Sequence, residues 1–185
     1  SLRAGLIGLT APDDTYGTFF KLIAEQPEAI LPDLIADVKT QGAKTILLLS
    51  HLSSNADRAL AEKIEGVDMI VGGHDHKELD PPLLVKNTII AQAGDFGRFL
   101  GRLDLKIDLN TGKVLQYEGR LIPITEDIPP DLQTQKTIEA ERKRAYEVMD
   151  REVGILTDPI QLCDDHECAA GNLLADALLE RVKDA

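Results

Sequence analysis

Four histidines occur in the chain. Two of them, His74 and His76, flank a single aspartate in the run Val71-Gly72-Gly73-His74-Asp75-His76. Two imidazoles one residue apart on a glycine-rich turn can aim at one metal centre, because glycine lets the backbone approach closely with no Cβ in the way. The same residues also suit a solvated polar turn whose histidines cap a strand end. A third histidine, His51, closes the run Lys44-Thr45-Ile46-Leu47-Leu48-Leu49-Ser50. That run reads as a strand buried on both faces, with His51 at its carboxyl end. In open α/β sheets ligands and catalytic groups collect at that edge. A lone histidine after a strand is more often structural. With His74 and His76 placed after a second strand of the same kind, Val67 to Val71, metal ligation by all three is the favoured reading.

The elements needed to position these residues follow from periodicity. Leu2 to Leu9 forms a short apolar strand. Pro32 to Gln41 predicts a helix opened by proline and closed by Gly42. Lys44 to Ser50 is the next strand, Asn55 to Ile64 a helix with Ala59, Leu60 and Ile64 facing inward, and Val67 to Val71 a further strand. This alternation predicts an α/β fold with parallel pairing and right-handed crossovers.

The pattern changes after His76. Thr88 to Ala93 is a short apolar strand. Leu103, Leu105, Ile107 and Leu109 then alternate with polar residues, the period of a half-exposed antiparallel strand. Asn110-Thr111-Gly112 supplies a hairpin turn, and Val114 to Ile124 returns, with Pro123 at a sheet edge. The stretch between these strands holds Gly94, Gly97 and Gly101, which serve either as turn and bulge residues or as a loop that brings Asp95 and Arg98 to the site.

Pro129-Pro130-Asp131 marks a boundary. Leu132 to Arg151 is polar, with Ile138, Ala145, Tyr146 and Met149 as a narrow apolar stripe, and reads as an interdomain helix. Glu152 to Thr157 is a candidate strand and Gly171 to Val182 a candidate helix. The chain therefore divides into 1–128, a linker helix 129–151, and 152–185 as the start of a second α/β domain. Cys163 and Cys168, with Asp164, Asp165, His166 and Glu167 between them, allow a local metal cluster, a disulfide or two free thiols.

Composition accommodates this reading. A first domain of this size is within the usual range, and 43% hydrophobic residues can fill its core. The net charge of −12, from 32 acidic and 20 basic side chains, disfavours binding to nucleic acid polymers or to anionic membrane surfaces. A phosphorylated small molecule stays compatible, because bound cations invert the local field. No membrane-spanning run or secretory signal is visible.

The ordered runs Gly5-Leu6-Ile7-Gly8-Leu9-Thr10, Leu49-Ser50-His51-Leu52, Gly72-Gly73-His74-Asp75-His76, Gln92-Ala93-Gly94-Asp95-Phe96-Gly97 and Leu100-Gly101-Arg102-Leu103-Asp104-Leu105 closely resemble the 5′-nucleotidase family of calcineurin-like metallophosphoesterases. That family also includes 2′,3′-cyclic-nucleotide phosphodiesterases. Glu167 and Gly171-Asn172-Leu173-Leu174-Ala175-Asp176-Ala177 resemble the opening of its C-terminal domain. The resemblance implies part of a layered α-β-β-α sandwich, then an interdomain helix and an incomplete second domain. It implies a hydrolase of nucleotide catabolism acting on nucleotides or related phosphoesters, with a periplasmic or extracellular location. It also implies a dinuclear centre of divalent Zn, Mn, Fe or Co, for which His51, His74 and His76 match three metal ligands. Asp75 would orient a neighbour of the metals, and Asn172 and Glu167 would be interdomain or packing residues.

The departures from that family are equally informative. Its first-half motifs, an Asp-x-His pair, a Gly-Asp and a Gly-Asn-His-Asp/Glu, are absent from the chain, and Ser1 corresponds to a point midway through the catalytic domain. No catalytic residue is therefore assigned. The arginine that the family places three residues before the glutamate matched by Glu167 falls on Asp164, a reversal of charge. The expectation is a phosphohydrolase segment inactive alone, or a noncatalytic binding or assembly module that keeps the fold. An uncovered sheet face would favour a homo-oligomer or a complementary half-domain as partner.

Overall fold

The computed structural model describes residues 2–12, 19–152, 154–163 and 166–183. Its contacts divide the chain into two compact units, Ser1–Ile128 and Pro129–Ala185.

The first unit is built on a five-stranded sheet. β1 (Ala4–Thr10), β2 (Thr45–His51), β3 (Met69–Val71) and β5 (Thr88–Ala91) run parallel, and β4 (Leu83–Val85) pairs antiparallel with β5, in the order β1-β2-β3-β5-β4. Helices α1 (Pro27–Thr40) and α2 (Ser54–Lys63) make the crossovers β1-α1-β2 and β2-α2-β3. The α/β expectation holds. The hairpin β6 (Phe99–Ile107) and β7 (Val114–Pro123) forms a separate two-stranded sheet.

The core lies on the helix side of the large sheet, where Ile7, Leu9, Ile46, Leu48, Ile70 and Ile90 meet Leu31, Ile35, Leu60 and Ala61. β2 does not behave as a strand buried on both faces. Ile46 and Leu48 are fully buried, whereas Leu49 is 46% exposed, and Leu6 and Val71 stand in water on the same side. Both flanking helices contribute to the cluster on one face, so among the described residues alternate positions of the apolar run are left largely in solvent. A parallel sheet with one bare face is unusual.

Two expectations about local structure are corrected, and one strand is added. The proline that opens α1 is Pro27, and Pro32 lies inside the helix. Pro32 removes one main-chain donor and crowds the preceding turn, but burial of Leu31 and Ile35 on the core face extends the helix through it. Helix α2 presents Asp57, Leu60 and Ala61 to the core rather than Ala59. β4 has too short an apolar pattern to read from sequence, and it forms because β5 offers it an edge.

The hairpin turn is tied to the start of β2. Thr45 Oγ1 donates to Gly112 O at 2.7 Å, and Lys44 Nζ to Asn110 O at 2.8 Å. Gly112 has φ 78°, and a Cβ there would lie 2.4 Å from Lys44 backbone oxygen. Only glycine fits both demands.

In the second unit α3 (Leu132–Met149) is capped by Asp131, whose carboxylate accepts from Thr134 N at 2.8 Å. That backbone hydrogen bond holds the Asp131 carboxyl below its ordinary range. Helix α4 spans Ala169–Lys183. Neither helix has a buried residue, and the apolar stripe of α3 is exposed at Ile138, Tyr146 and Met149. Among the described residues of 152–157 no strand forms, since a lone strand has no neighbour to pair its main-chain groups. Cys163 and Cys168 are joined in a disulfide, which decides among the three readings of that pair. Asn172 Nδ2 donates to Glu167 Oε1 at 3.1 Å, both on the surface. Asp164, where a charge reversal was expected, lies outside the described residues.

Candidate metal centre

The parallel register places three residues at one edge. His51 is the last residue of β2, opposite Thr10 of β1. Gly72-Gly73-His74 follow β3, and Gln92 follows β5. Carboxyl ends of adjacent strands therefore supply His51, His74 and Gln92, as the sheet topology demands.

The His51 and His74 rings lie side by side, centroids 5.0 Å apart and planes at 71°. The turn that carries His74 packs most closely at Gly72. A Cβ on Gly72 would fall 2.7 Å from Asp57 Oδ2 and 3.1 Å from Gln92 Nε2. His76 stands in a different grouping, with its Nδ1 3.3 Å from Asp95 Oδ2. Arg98 Nε donates to the other oxygen of Asp95 at 3.1 Å, and its Nη2 lies 3.2 Å from Glu78 Oε1. Of the two readings open for the glycine-rich stretch, the loop therefore does carry Asp95 to the neighbourhood of a predicted site histidine.

Both His74 (φ 74°) and His76 (φ 56°) adopt left-handed backbone, at a cost of roughly 1–3 kcal/mol each. Surrounding bonds must hold them there. Asp75 Oδ2 accepts from Ser54 N at 3.0 Å and from Ser54 Oγ, which anchors the turn to the start of α2. Asp75 Oδ1 accepts from Gln92 Nε2 at 3.0 Å. Burial pushes the Asp75 carboxyl up, but the hydrogen bonds from Ser54 and Gln92 outweigh it and leave the group below its ordinary value. Asp75 thus faces its neighbours and ties the turn down.

Gln92 completes the brace. It is 3% exposed; its Nε2 also donates to Gly73 O at 2.9 Å, while its Oε1 accepts from Lys77 N. One buried amide therefore pins the turn at residues 73, 75 and 77. Beneath it lies Asp57, fully buried, with Oδ1 accepting from Ser50 Oγ and Oδ2 without a hydrogen-bond partner among the described residues. Burial raises its carboxyl, the Ser50 hydroxyl opposes that, and the Asp75 charge adds to it. Sequence reasoning singled out neither residue. The signal for Gln92 was its place just after an apolar strand, the same place held by His51 and His74. For Asp57 it was a charge spaced three and four residues from Leu60 and Ala61.

The donor set can now be tested against a metal. Two nitrogens each about 2.0–2.1 Å from one ion are no more than about 4.2 Å apart, and rings with the observed separation can satisfy that. His51 and His74 are the two imidazoles whose rings lie near enough to be weighed together as donors. Among the described residues no group of three or more His, Cys, Asp or Glu is arranged to hold a metal, so the predicted trio is not assembled around one point.

No protein-family model matches the chain. It is 32% identical over 149 residues to the trifunctional nucleotide phosphoesterase protein YfkN of Bacillus subtilis, covering 76% of this chain and 10% of that protein. It is 27% identical over 205 residues to the snake venom 5′-nucleotidase of Crotalus adamanteus, covering 97% of this chain and 34% of that one. The solved 5′-nucleotidase precursor of Thermus thermophilus superposes with a TM-score of 0.74 at 26% identity, over 99% of this chain and 41% of its own. The chain is homologous to the 5′-nucleotidases. It spans about a third of the venom 5′-nucleotidase and a tenth of YfkN. The fold they share is a metallophosphoesterase sandwich with a C-terminal domain, and 5′-nucleotidase kinship agrees with the motifs that carry His51, His74 and Gln92.

Proposed function

We propose that this chain is part of a metal-dependent phosphohydrolase of the 5′-nucleotidase type, acting on nucleotides or related phosphoesters. The observation that carries the reading is the His51–His74 pair at the carboxyl edge of the parallel sheet, with His74 on a turn held in left-handed backbone and braced from below. Strain so over-determined serves a site rather than a connection. The separate grouping of His76 with Asp95 suits a centre of two ions, with the pair serving one and His76 the other. Imidazole donors favour Zn²⁺, Mn²⁺, Fe or Co²⁺. Such ions, when bound, stabilise charge on phosphoryl oxygens and acidify a bound water. The chain's own part is to present nitrogens, with Asp75 and Gln92 fixing their direction.

Alone, the chain is proposed to be inactive. Two or three nitrogen donors hold an ion loosely, and no carboxylate that could bridge two ions accompanies the pair among the described residues. The bare sheet face formed by Leu6, Leu49 and Val71 supports association with a complementary half-domain or a second copy. The same face supports the second reading, a noncatalytic binding or assembly module that retains the fold. A location in an oxidising compartment, periplasmic or extracellular, is supported by the Cys163–Cys168 disulfide. Among the described residues no helix is long and apolar enough to cross a membrane.

The test is calorimetric titration of the metal-free chain with Mn²⁺ and Zn²⁺, beside a His74→Ala/His76→Ala double variant, with 5′-AMP hydrolysis assayed in parallel. Saturable binding lost in the variant, without turnover, is expected. Turnover on adding a complementary half would identify the missing ligands as supplied by association. No binding by the intact chain would leave the assembly module as the better account.

A further inference from the structure

Asp95 stands beside one of the three candidate donors. Its Oδ2 lies 3.3 Å from His76 Nδ1, and among the described residues neither His51 nor His74 has a carboxylate so placed. The two side chains differ in freedom, Asp95 being 15% exposed and His76 59%. The carboxylate is therefore the fixed partner, and the imidazole the one that settles against it.

Asp95 is held from several directions. Arg98 Nε donates to its Oδ1 at 3.1 Å, and Arg98 Nη2 donates to the same oxygen, which leaves Oδ2 for the ring. The same guanidinium lies 3.2 Å from Glu78 Oε1. In the main chain Arg98 N donates to Asp95 O at 3.2 Å, Gly94 N to Lys77 O at 2.9 Å, and Ile124 N to Arg98 O at 2.9 Å. These bonds tie the loop after β5 to the residue next to His76 and to the end of the hairpin.

The consequence is a choice of tautomer. A neutral imidazole carries its proton on Nδ1 or on Nε2, and the nitrogen without it is the one that can hold an ion. In water the proton favours Nε2. A carboxylate accepts hydrogen bonds and donates none, so Oδ2 beside Nδ1 draws the proton there. The 3.3 Å separation is just beyond the usual N–H···O range of about 2.7–3.2 Å, a gap that a small rotation of the exposed ring closes.

We propose that Asp95 is a positioning residue that keeps the His76 proton on Nδ1 and so leaves Nε2 bare as the donor nitrogen. This role rests on His76 being a metal donor, as in the phosphohydrolase reading above. A carboxylate behind a ligand histidine orients the ring and makes its far nitrogen more basic. Asp95 acts through His76, since Arg98 and His76 take up its two oxygens.

The chain would be labelled with ¹⁵N-histidine and its two-bond ¹H–¹⁵N correlations recorded at about pH 8.5, where imidazoles are neutral. His76 is assigned by its loss in His76→Gln. In the intact, metal-free chain His76 is expected as the Nδ1–H tautomer, and in Asp95→Ala as the Nε2–H tautomer, with the His51 and His74 signals in place. Zn²⁺ should shift the Nε2 signal of His76, and its affinity by calorimetry should fall about 10- to 100-fold in Asp95→Ala. A His76 proton on Nε2 in the intact chain would overturn the proposal, whatever the variant does to the fold. So would a tautomer unchanged by Asp95→Ala, even with weaker Zn²⁺ binding, because Asp95 would then only support its loop. Either result leaves the phosphohydrolase reading standing as long as the intact chain binds Zn²⁺. Failure of the intact chain to bind Zn²⁺ would remove both.

Discussion

The two units of this chain use similar local ingredients with opposite results. In Ser1–Ile128, helices with apolar faces lie over a sheet, and Leu31, Ile46, Leu48, Leu60, Ile70 and Ile90 vanish from solvent. In Pro129–Ala185, α3 and α4 are as regular, yet neither buries a residue, and Leu173, Leu174 and Leu178 are more than half exposed. Amphipathic helices are not sufficient for a core. A second layer has to be supplied, and among the described residues the first unit has one over one face of its sheet.

The sharpest way to break this comparison is to truncate one leucine in each unit. Leu48→Ala should cost the first unit about 2–5 kcal/mol by the cavity it leaves, whereas Leu178→Ala should change stability by less than about 0.5 kcal/mol. Denaturant melts of the two variants read this directly. Equal losses would mean that α4 is buried in the molecule in solution.

A smaller effect is expected from Gln92→Ala. Removing the amide leaves Gly73 O, Asp75 Oδ1 and Lys77 N without their buried partner, and an unsatisfied buried group costs about 1–3 kcal/mol. The loss should fall mainly on the turn. Hydrogen exchange at residues 73–77 should rise well above that of β2, and metal affinity should drop more than global stability does. Uniform loss across the unit would make Gln92 an ordinary core residue.

The smallest effect concerns Asp57. Its carboxyl is raised from the ordinary 3.8 by burial, so the protonated form is the one that folding favours. That contribution is complete below the ordinary value and is lost as pH rises through the raised one. At pH 7 the buried carboxylate is therefore a liability, and Asp57→Asn should raise the melting temperature by about 2–4 °C. The gain should close as the pH falls toward 4. A gain independent of pH would show that the charge is not its source.

These expectations also mark where sequence reading stopped. Strands β1, β2, β3 and β5 were legible because each is a short apolar run, and the hairpin because alternation and Asn110-Thr111-Gly112 agree. The phase of α2 was misread by choosing Ala59 over Ala61. Asp57 disguised the true stripe, since a carboxylate on a core face contradicts the pattern until Ser50 is seen to donate to it. Glu152–Thr157 has the composition of a strand, but among the described residues there no strand forms. At the site, His51, His74 and His76 were legible as candidate ligands because they follow apolar runs that end at one sheet edge. That His76 turns instead to Asp95 was not, because one residue of separation says nothing about direction when both histidines have left-handed backbone.

By itself the sequence determined the α/β class, the sheet edge at which chemistry would gather, and kinship with the 5′-nucleotidases. All three depend on residue type and short-range spacing, which are local properties. The tertiary structure decided which face of the sheet is bare, which histidines meet, that Gln92 fastens their turn, and that Asp95 is held beside His76. These depend on contacts between residues far apart in the chain, whose geometry is set by the packing of whole elements and is invisible to any local pattern.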